Sequence, residues 1–246
     1  MLKSIIIEGI DRLGKDTLIQ GLKNQLGYFQ VIHYQKPELL EFFLKQARQI
    51  FNLPDDFNGE QVISLAQKQY QINSFTNMMK FLSDDNSRFI MNRSHLGEAV
   101  YSKRYRNYSG DYIFDLEKNI DLSSYMSSFT DTTLLVLLHT SSFNFIKDDG
   151  QSFDFSKKDE EQMDFVRAFE KSDIKHKLML DVHDGKGGFV PKEKLLSVVI
   201  QAYKELQAMP HQIMLTTWNR DEQGNVIRFN SLQPDPKKII SSIEDS

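Results

Sequence analysis

Glycine, lysine and arginine, residue types that suit phosphate chemistry, stand together near the N-terminus, where residues 8–17 read EGIDRLGKDT. Gly9, Gly14 and Lys15 fit the pattern Gly-x-x-x-x-Gly-Lys, in which backbone N–H groups surround phosphate oxygens and the lysine reaches the outer phosphates. A β-branched run precedes Gly9, and apolar residues at helical spacing follow Lys15. The segment therefore predicts a strand, a phosphate-binding loop and a helix whose N-terminus adds positive potential for a nucleotide.

The position after Lys15 departs from this pattern. A hydroxyl that binds magnesium is expected there, but the residue is Asp16 and the hydroxyl of Thr17 comes one position later. Carboxylate and hydroxyl oxygens both suit Mg²⁺, so either Asp16 or Thr17 could ligate it. In the alternative interpretation, Asp16 is a first-turn acid that is stabilised by the helix dipole and touches no metal.

Further charged groups follow other predicted strands. Lys36 comes after the strand predicted at 29–34, Arg93 follows the strand predicted at 89–91, and Glu98 lies about one helical turn beyond Arg93. Parallel strands place ligands at their carboxyl ends, so these groups are expected near the loop. Fixed cations are what phosphoryl transfer chiefly requires. The alternatives are that Arg93 forms a structural ion pair and that Lys36 and Glu98 face solvent.

The elements that must position these residues alternate between strands and helices, which predicts an α/β fold with a parallel sheet covered on both faces. Strands are predicted at 5–7, 29–34, 89–91, 132–138 and 178–182. Helices are predicted at 15–25, 39–51, 61–82, around 100, 113–126, 141–146, 159–171 and 191–208. Residues 213–218 and 226–229 predict a β-hairpin. We expect a nucleotide-binding domain at 1–210, a β-hairpin extension at 211–232 and a polar tail at 233–246.

Composition narrows the class of protein. The chain has 246 residues, 40% of them hydrophobic, and a net charge of −4, which argues against broad binding to nucleic acid or to anionic membranes. It contains no cysteine, so disulfides and thiolate metal sites are excluded. No apolar run approaches the roughly 18 residues that a membrane span requires. We expect a soluble, cytoplasmic protein with a small-molecule nucleotide substrate and neither nucleic acid nor membrane as a partner.

The loop resembles that of thymidylate kinases, which reads Glu-Gly-x-Asp-x-x-Gly-Lys. Arg12 inside the loop is similar to the subgroup that keeps its catalytic arginine there rather than in the lid. Residues 92–101, NRSHLGEAVY, resemble the family's strand ending in Asp-Arg and the virus-type deoxynucleotide kinases of this superfamily. Lys36 in Gln-Lys-Pro stands where the family often has Arg-x-Pro. The resemblance covers roughly residues 4–208.

This resemblance implies a three-layer P-loop kinase fold with a central parallel sheet, here followed by the C-terminal β-hairpin extension. It also implies ATP and Mg²⁺ as cofactors, a deoxynucleoside monophosphate as acceptor, and a homodimer. The expected ATP-binding residues are Asp11, Arg12, Leu13, Gly14, Lys15, Asp16 and Thr17. The expected catalytic residues are Arg12, Lys15 and Arg93, and the expected substrate-binding residues are Lys36, Tyr70, Gln71, Arg93 and Glu98. Magnesium is expected on Asp16 or Thr17.

Three functions remain open at this point. The leading hypothesis is ATP-dependent phosphorylation of a deoxynucleoside monophosphate, dTMP or a broader set, to the diphosphate. The alternative is a deoxynucleoside kinase, for which Ser94 and Gln71 fit but Asn92 replaces the expected carboxylate, so that Glu98 would have to act as base. The third is a nucleotide-binding module with little catalysis, because Asp16 and Asn92 both alter positions next to the metal.

Overall fold

In the computed structural model of the chain, the described residues are 2–33, 59–83, 88–123, 129–147, 155–208, 215–220 and 226–230. Lys36, the helix predicted at 39–51 and the tail predicted at 233–246 lie outside these residues.

Five parallel strands form the centre of the protein. They are β1 (Ser4–Glu8), β2 (Gln30–His33), β3 (Phe89–Asn92), β4 (Thr133–His139) and β5 (His176–Asp181), and they lie side by side in the order β2-β3-β1-β4-β5. All five residues of β1 are buried, because an apolar run without alternation suits a strand that is covered on both faces. The predicted α/β fold with a parallel sheet is therefore confirmed.

Two more strands extend the sheet beyond β5. Strand β6 (Leu215–Arg220) pairs with β5 in parallel, and β7 (Val226–Asn230) pairs with β6 in the antiparallel sense. The division of the chain into a domain at 1–210, an extension at 211–232 and a tail stays a prediction.

Helices pack in two groups beside the sheet. One group contains α1 (Lys15–Leu26) and α7 (Lys192–Ala208), which contact each other. The second contains α2 (Gly59–Leu82), α3 (Leu96–Tyr105), α4 (Tyr112–Ser123), α5 (Phe129–Thr132) and α6 (Lys158–Lys171), which follows a short 3₁₀ turn (Phe155–Lys157). Because crossovers between parallel strands are right-handed, the β1-to-β2 and β3-to-β4 connections run over opposite faces of the sheet. Among the residues that the structure describes, no helix is long and apolar enough to cross a membrane.

The helix predicted to begin at 141–146 is wrong, since these residues form turns. The hydroxyl of Thr140 donates to Ser142 O at 2.5 Å and accepts from Ser142 N at 3.2 Å. Such local side-chain bonds offer the backbone an alternative to helix, which is why serine and threonine favour turns. Helix α5 (Phe129–Thr132), directly before β4, was not predicted.

Gly9 lets the loop after β1 run close beneath the end of β4. Its φ is +131°, and a Cβ at this position would lie 2.4 Å from Leu138 O. A backbone oxygen in the central strand cannot move aside cheaply, so glycine is required here for space as well as for conformation. The phosphate-binding loop therefore begins at a point that the sheet itself fixes.

We expect Gly9→Ala to lower the free energy of unfolding by about 2–5 kcal/mol, because backbone strain of about 1–2 kcal/mol adds to overpacking of about 1–3 kcal/mol. Gly187→Ala is the matched control, since Gly187 has φ +91° but nothing within 4 Å of the added Cβ. Chemical denaturation of both variants measures the difference. Equal losses would contradict the close approach to Leu138.

Candidate active site

The carboxyl ends of β1 and β3 form the crevice in which the predicted site residues meet. The two strands are neighbours, with Ile7 opposite Asn92, and their outgoing connections leave over opposite faces of the sheet. In open parallel sheets, ligands bind in the crevice that this arrangement creates. The loop after β1 and the turn after β3 border this crevice.

The loop between β1 and α1 has the conformation of a phosphate cradle. Arg12 and Gly14 adopt left-handed conformations with φ of 71° and 82°. Gly14 is the N-cap of α1 and supplies no side-chain cap, so N–H groups of the first helical turn remain available to an anion. Leu13 packs into the core, whereas Asp11 and Arg12 are half-buried at the crevice.

The side chain of Lys15 turns back and bonds to carbonyl groups of the loop that precedes it. Its ammonium donates to Gly9 O at 2.8 Å and to Ile10 O at 2.5 Å, and the side chain is only 6% exposed. Burial lowers the pKa of Lys15 to about 8, an effect that the nearby Glu8 carboxylate opposes. The two carbonyls are neutral acceptors, so the oxygens of an anionic phosphate, which bind the ammonium more strongly, can replace them.

Arg93 comes directly after β3 and turns towards the loop. It has φ of 65°, and its backbone N donates to Ile7 O at 3.0 Å. Its guanidinium forms an ion pair with Asp11, and its side chain is 37% exposed. The structure therefore brings Arg93 to the same loop that carries Arg12 and Lys15, as the sequence predicted.

Glu8 is a site residue that the sequence interpretation missed. It is fully buried at the end of β1, where its Oε1 accepts a hydrogen bond from Ser94 N at 2.7 Å and its Oε2 is buried without a hydrogen-bond partner. Burial raises the pKa of Glu8, while His95, Ser94, Lys15 and Arg93 act in the opposite direction. The available signal was a carboxylate directly after three isoleucines of a buried strand, since glutamate is rarely fully buried unless it is paired.

A buried polar network continues from Ser94 into the second helix group. The Ser94 hydroxyl lies 2.9 Å from His95 Nδ1, and His95 Nε2 lies 2.6 Å from Glu117 Oε1. Glu117 also accepts bonds from Ser172 Oγ at 2.7 Å and Asp173 N at 2.6 Å. A carboxylate only accepts, so Nε2 carries the hydrogen towards Glu117. The network anchors the turn after Arg93 to α4 and to the segment before β5.

Asp16 and Thr17 are exposed on the first turn of α1, beside the loop. Asn92 Nδ2 donates to Asp16 Oδ1 at 2.6 Å and lies 3.0 Å from His33 Nδ1. The other atom of this amide, Asn92 Oδ1, is buried without a hydrogen-bond partner. The carboxylate of Asp16 and the hydroxyl of Thr17 are oxygen ligands of the kind that Mg²⁺ binds, so these two side chains fit the cation. Within the described residues, no group of three histidine or acidic side chains forms a separate metal site.

The residues predicted to bind the substrate do not all reach this crevice. Glu98 is buried and accepts bonds from Tyr108 and Tyr112 at 2.6 Å and 2.9 Å, and it forms an ion pair with Arg106. These contacts tie it to the segment after α3. On α2, Gln71 is buried and Tyr70 is half exposed. Lys36 lies outside the described residues.

No family model and no curated protein matches the sequence. Solved structures do match the fold. The YorR protein of Bacillus subtilis, solved in complex with phosphorylated GDP, has a TM-score of 0.53 at 16% identity and covers 85% of this chain and 100% of its own. The thymidylate kinase of Candida albicans has a TM-score of 0.50 at 13% identity and covers 86% of this chain and 94% of its own.

These identities are too low to transfer an activity, but the shared architecture spans most of each chain. The membership of a virus-type subgroup stays a prediction. The chain has the fold of a thymidylate kinase-like P-loop kinase.

Proposed function

We propose that the protein transfers the γ-phosphoryl group of ATP to a deoxynucleoside monophosphate and so forms the diphosphate. The observation that carries this proposal is the convergence of Lys15, from the loop after β1, and Arg93, from the neighbouring β3, on the carboxylate of Asp11, next to which Arg12 lies in the same loop. Phosphoryl transfer depends on such fixed cations more than on covalent help from the protein. The fold and the phosphorylated GDP held by YorR are consistent with a nucleotide substrate.

Each residue has a separate role in this proposal. Lys15 and the loop N–H groups hold the β- and γ-phosphates, and Arg12 neutralises the charge that spreads over the moving group. Arg93 exchanges Asp11 for the phosphate of the acceptor, which offers two oxygens to its guanidinium. Asp16 and Thr17 would hold Mg²⁺, which neutralises charge between the phosphates. The homodimer expected from the resemblance stays a prediction.

Two positions in the described part of the chain, 92 and 98, favour a phosphate acceptor over a hydroxyl. A deoxynucleoside must lose a proton to a carboxylate within hydrogen-bond reach. Position 92 is an asparagine, and Glu98 already accepts two tyrosine hydroxyls and pairs with Arg106. A monophosphate brings its own negative charge and requires no such base.

The decisive experiment incubates the protein with ATP–Mg²⁺ and a panel of nucleosides and monophosphates, and product formation is followed by chromatography. We expect diphosphates from one or more deoxynucleoside monophosphates and no product from nucleosides. Phosphorylation of deoxynucleosides alone would replace the proposal by a deoxynucleoside kinase. Binding of ATP without transfer to any acceptor would select a nucleotide-binding module.

Arg12→Ala should lower kcat by about 10³-fold and leave the affinity for ATP nearly unchanged, because its charge matters most in the transition state. Steady-state kinetics and equilibrium binding of ATP measure the two effects separately. Arg167→Ala is the control, since Arg167 is 72% exposed and pairs with Asp164 on α6, outside the site. A loss of ATP binding with normal turnover of the bound complex would make Arg12 a ground-state contact.

Glu98→Gln tests whether Glu98 binds the substrate, as the sequence predicted, or stabilises the fold through its ion pair with Arg106. We expect the free energy of unfolding to fall by about 3 kcal/mol, because Arg106 loses its buried counter-charge, and the KM for the acceptor to stay nearly constant. Glu160→Gln is the control, because Glu160 is 71% exposed and 3.8 Å from Arg104, a contact worth at most about 1 kcal/mol. An unchanged stability with a raised acceptor KM would restore Glu98 to the substrate site.

A further inference from the structure

Asp16 and Asn92, the two residues that depart from the resembled pattern beside the metal position, contact each other across 76 positions of sequence. Asp16 stands on the first turn of α1, and Asn92 is the last residue of β3. The hydrogen bond from Asn92 Nδ2 to Asp16 Oδ1, at 2.6 Å, therefore crosses the mouth of the crevice. The two unusual residues form one local structure.

Asp16 is exposed, and the other carboxylates at the loop are buried or paired with a cation: the Asp11 side chain is 46% exposed but paired. Asp11 is ion-paired with Arg93, and Glu8 is buried beneath the loop with a bond to Ser94. Among the described residues, this leaves Asp16 as the exposed carboxylate beside the hydroxyl of Thr17 at the start of α1.

The amide nitrogen of Asn92 is a hydrogen-bond donor that suits the negative charge of Asp16. This nitrogen has two hydrogens, one directed at Asp16 and the other at His33 Nδ1, 3.0 Å away. A second carboxylate at this position would lie against the first and repel it. Asn92 Oδ1 is buried, so the nitrogen is the atom of this amide that acts on Asp16.

We propose that Asp16 and Asn92 act as one unit, in which an amide orients a single carboxylate towards the divalent cation of a bound nucleotide. The unit requires one carboxylate, and either of the two positions can carry it. Asn92 is then a positioning residue that acts through Asp16. This inference rests on the proposed function only in that a nucleotide binds with a divalent cation, and it does not depend on the acceptor.

The test exchanges the two side chains. Asp16→Asn, Asn92→Asp and the double variant that carries both substitutions are compared with the original chain. The exchange keeps composition, net charge and an amide–carboxylate hydrogen bond. Binding of Mn²⁺ in the presence of ADP is followed by the electron paramagnetic resonance signal of the free ion at pH 8, where histidine is ordinarily neutral. Thermal unfolding checks that each variant is folded.

We expect Asp16→Asn to weaken Mn²⁺ binding by about tenfold or more, as is typical when a group that orients or neutralises a metal is lost. Asn92→Asp alone should tighten Mn²⁺ binding by less than about threefold, whereas the exchanged variant should return to within about threefold of the original affinity, which makes the two substitutions non-additive. Asn119→Asp is the control, since it adds a carboxylate at an exposed position of α4, in the second helix group, and should change nothing.

An exchanged variant as weak as Asp16→Asn would overturn the proposal, because the charge would then be required at position 16 alone. Unchanged Mn²⁺ binding in Asp16→Asn would overturn it as well. The measurement needs no turnover, so a protein that fails to phosphorylate any monophosphate still gives a readable result. If the original chain binds no Mn²⁺ with ADP, the inference and the proposed function both fail.

Discussion

One hydrogen bond, from Ser94 N to the buried carboxylate of Glu8, fastens the turn after β3 to the end of β1. Arg93 N donates to Ile7 O one residue earlier, so the turn is held at two consecutive positions. Arg93 itself has φ of 65°, which costs about 1–2 kcal/mol in a residue other than glycine. Leaving the buried Ser94 N–H without an acceptor would cost a further 1–3 kcal/mol or so, and the strained turn that directs Arg93 would lose its support.

Acidic and basic side chains alternate around the crevice near this hydrogen bond. Glu8 lies beneath the loop, Lys15 and Arg93 lie around it, and Asp11 and Asp16 border its open side. Lys15 donates to loop carbonyls, and Arg93 pairs with Asp11. Under the proposed function, the oxygens of phosphates would replace these acceptors.

The sequence predicts local features well and distant contacts poorly. The strand, loop and helix around Lys15 follow from composition and spacing alone, and so does the alternation that gives the parallel sheet. Glu98 was expected near the substrate because it follows Arg93 by about one helical turn, yet Arg106, Tyr108 and Tyr112 surround it. Its three partners follow it by 8–14 positions, and no spacing rule identifies them. Likewise, the sequence shows that Asp16 and Asn92 each depart from the resembled pattern. It does not show that the two side chains contact each other, because they are 76 positions apart.

The same contacts bear on the chemistry of the acceptor. A general base needs an accessible lone pair near the proton that it removes. Of the carboxylates around the crevice in the described part of the chain, Glu8 is buried and bonded, Asp11 is paired with Arg93, and Asp16 is bonded to Asn92. A phosphate acceptor needs no lone pair of these carboxylates, because it already carries negative charge. Under the proposed function, the phosphate of the acceptor would bind the cations that the strand ends present, and this match of charge is the argument for a monophosphate.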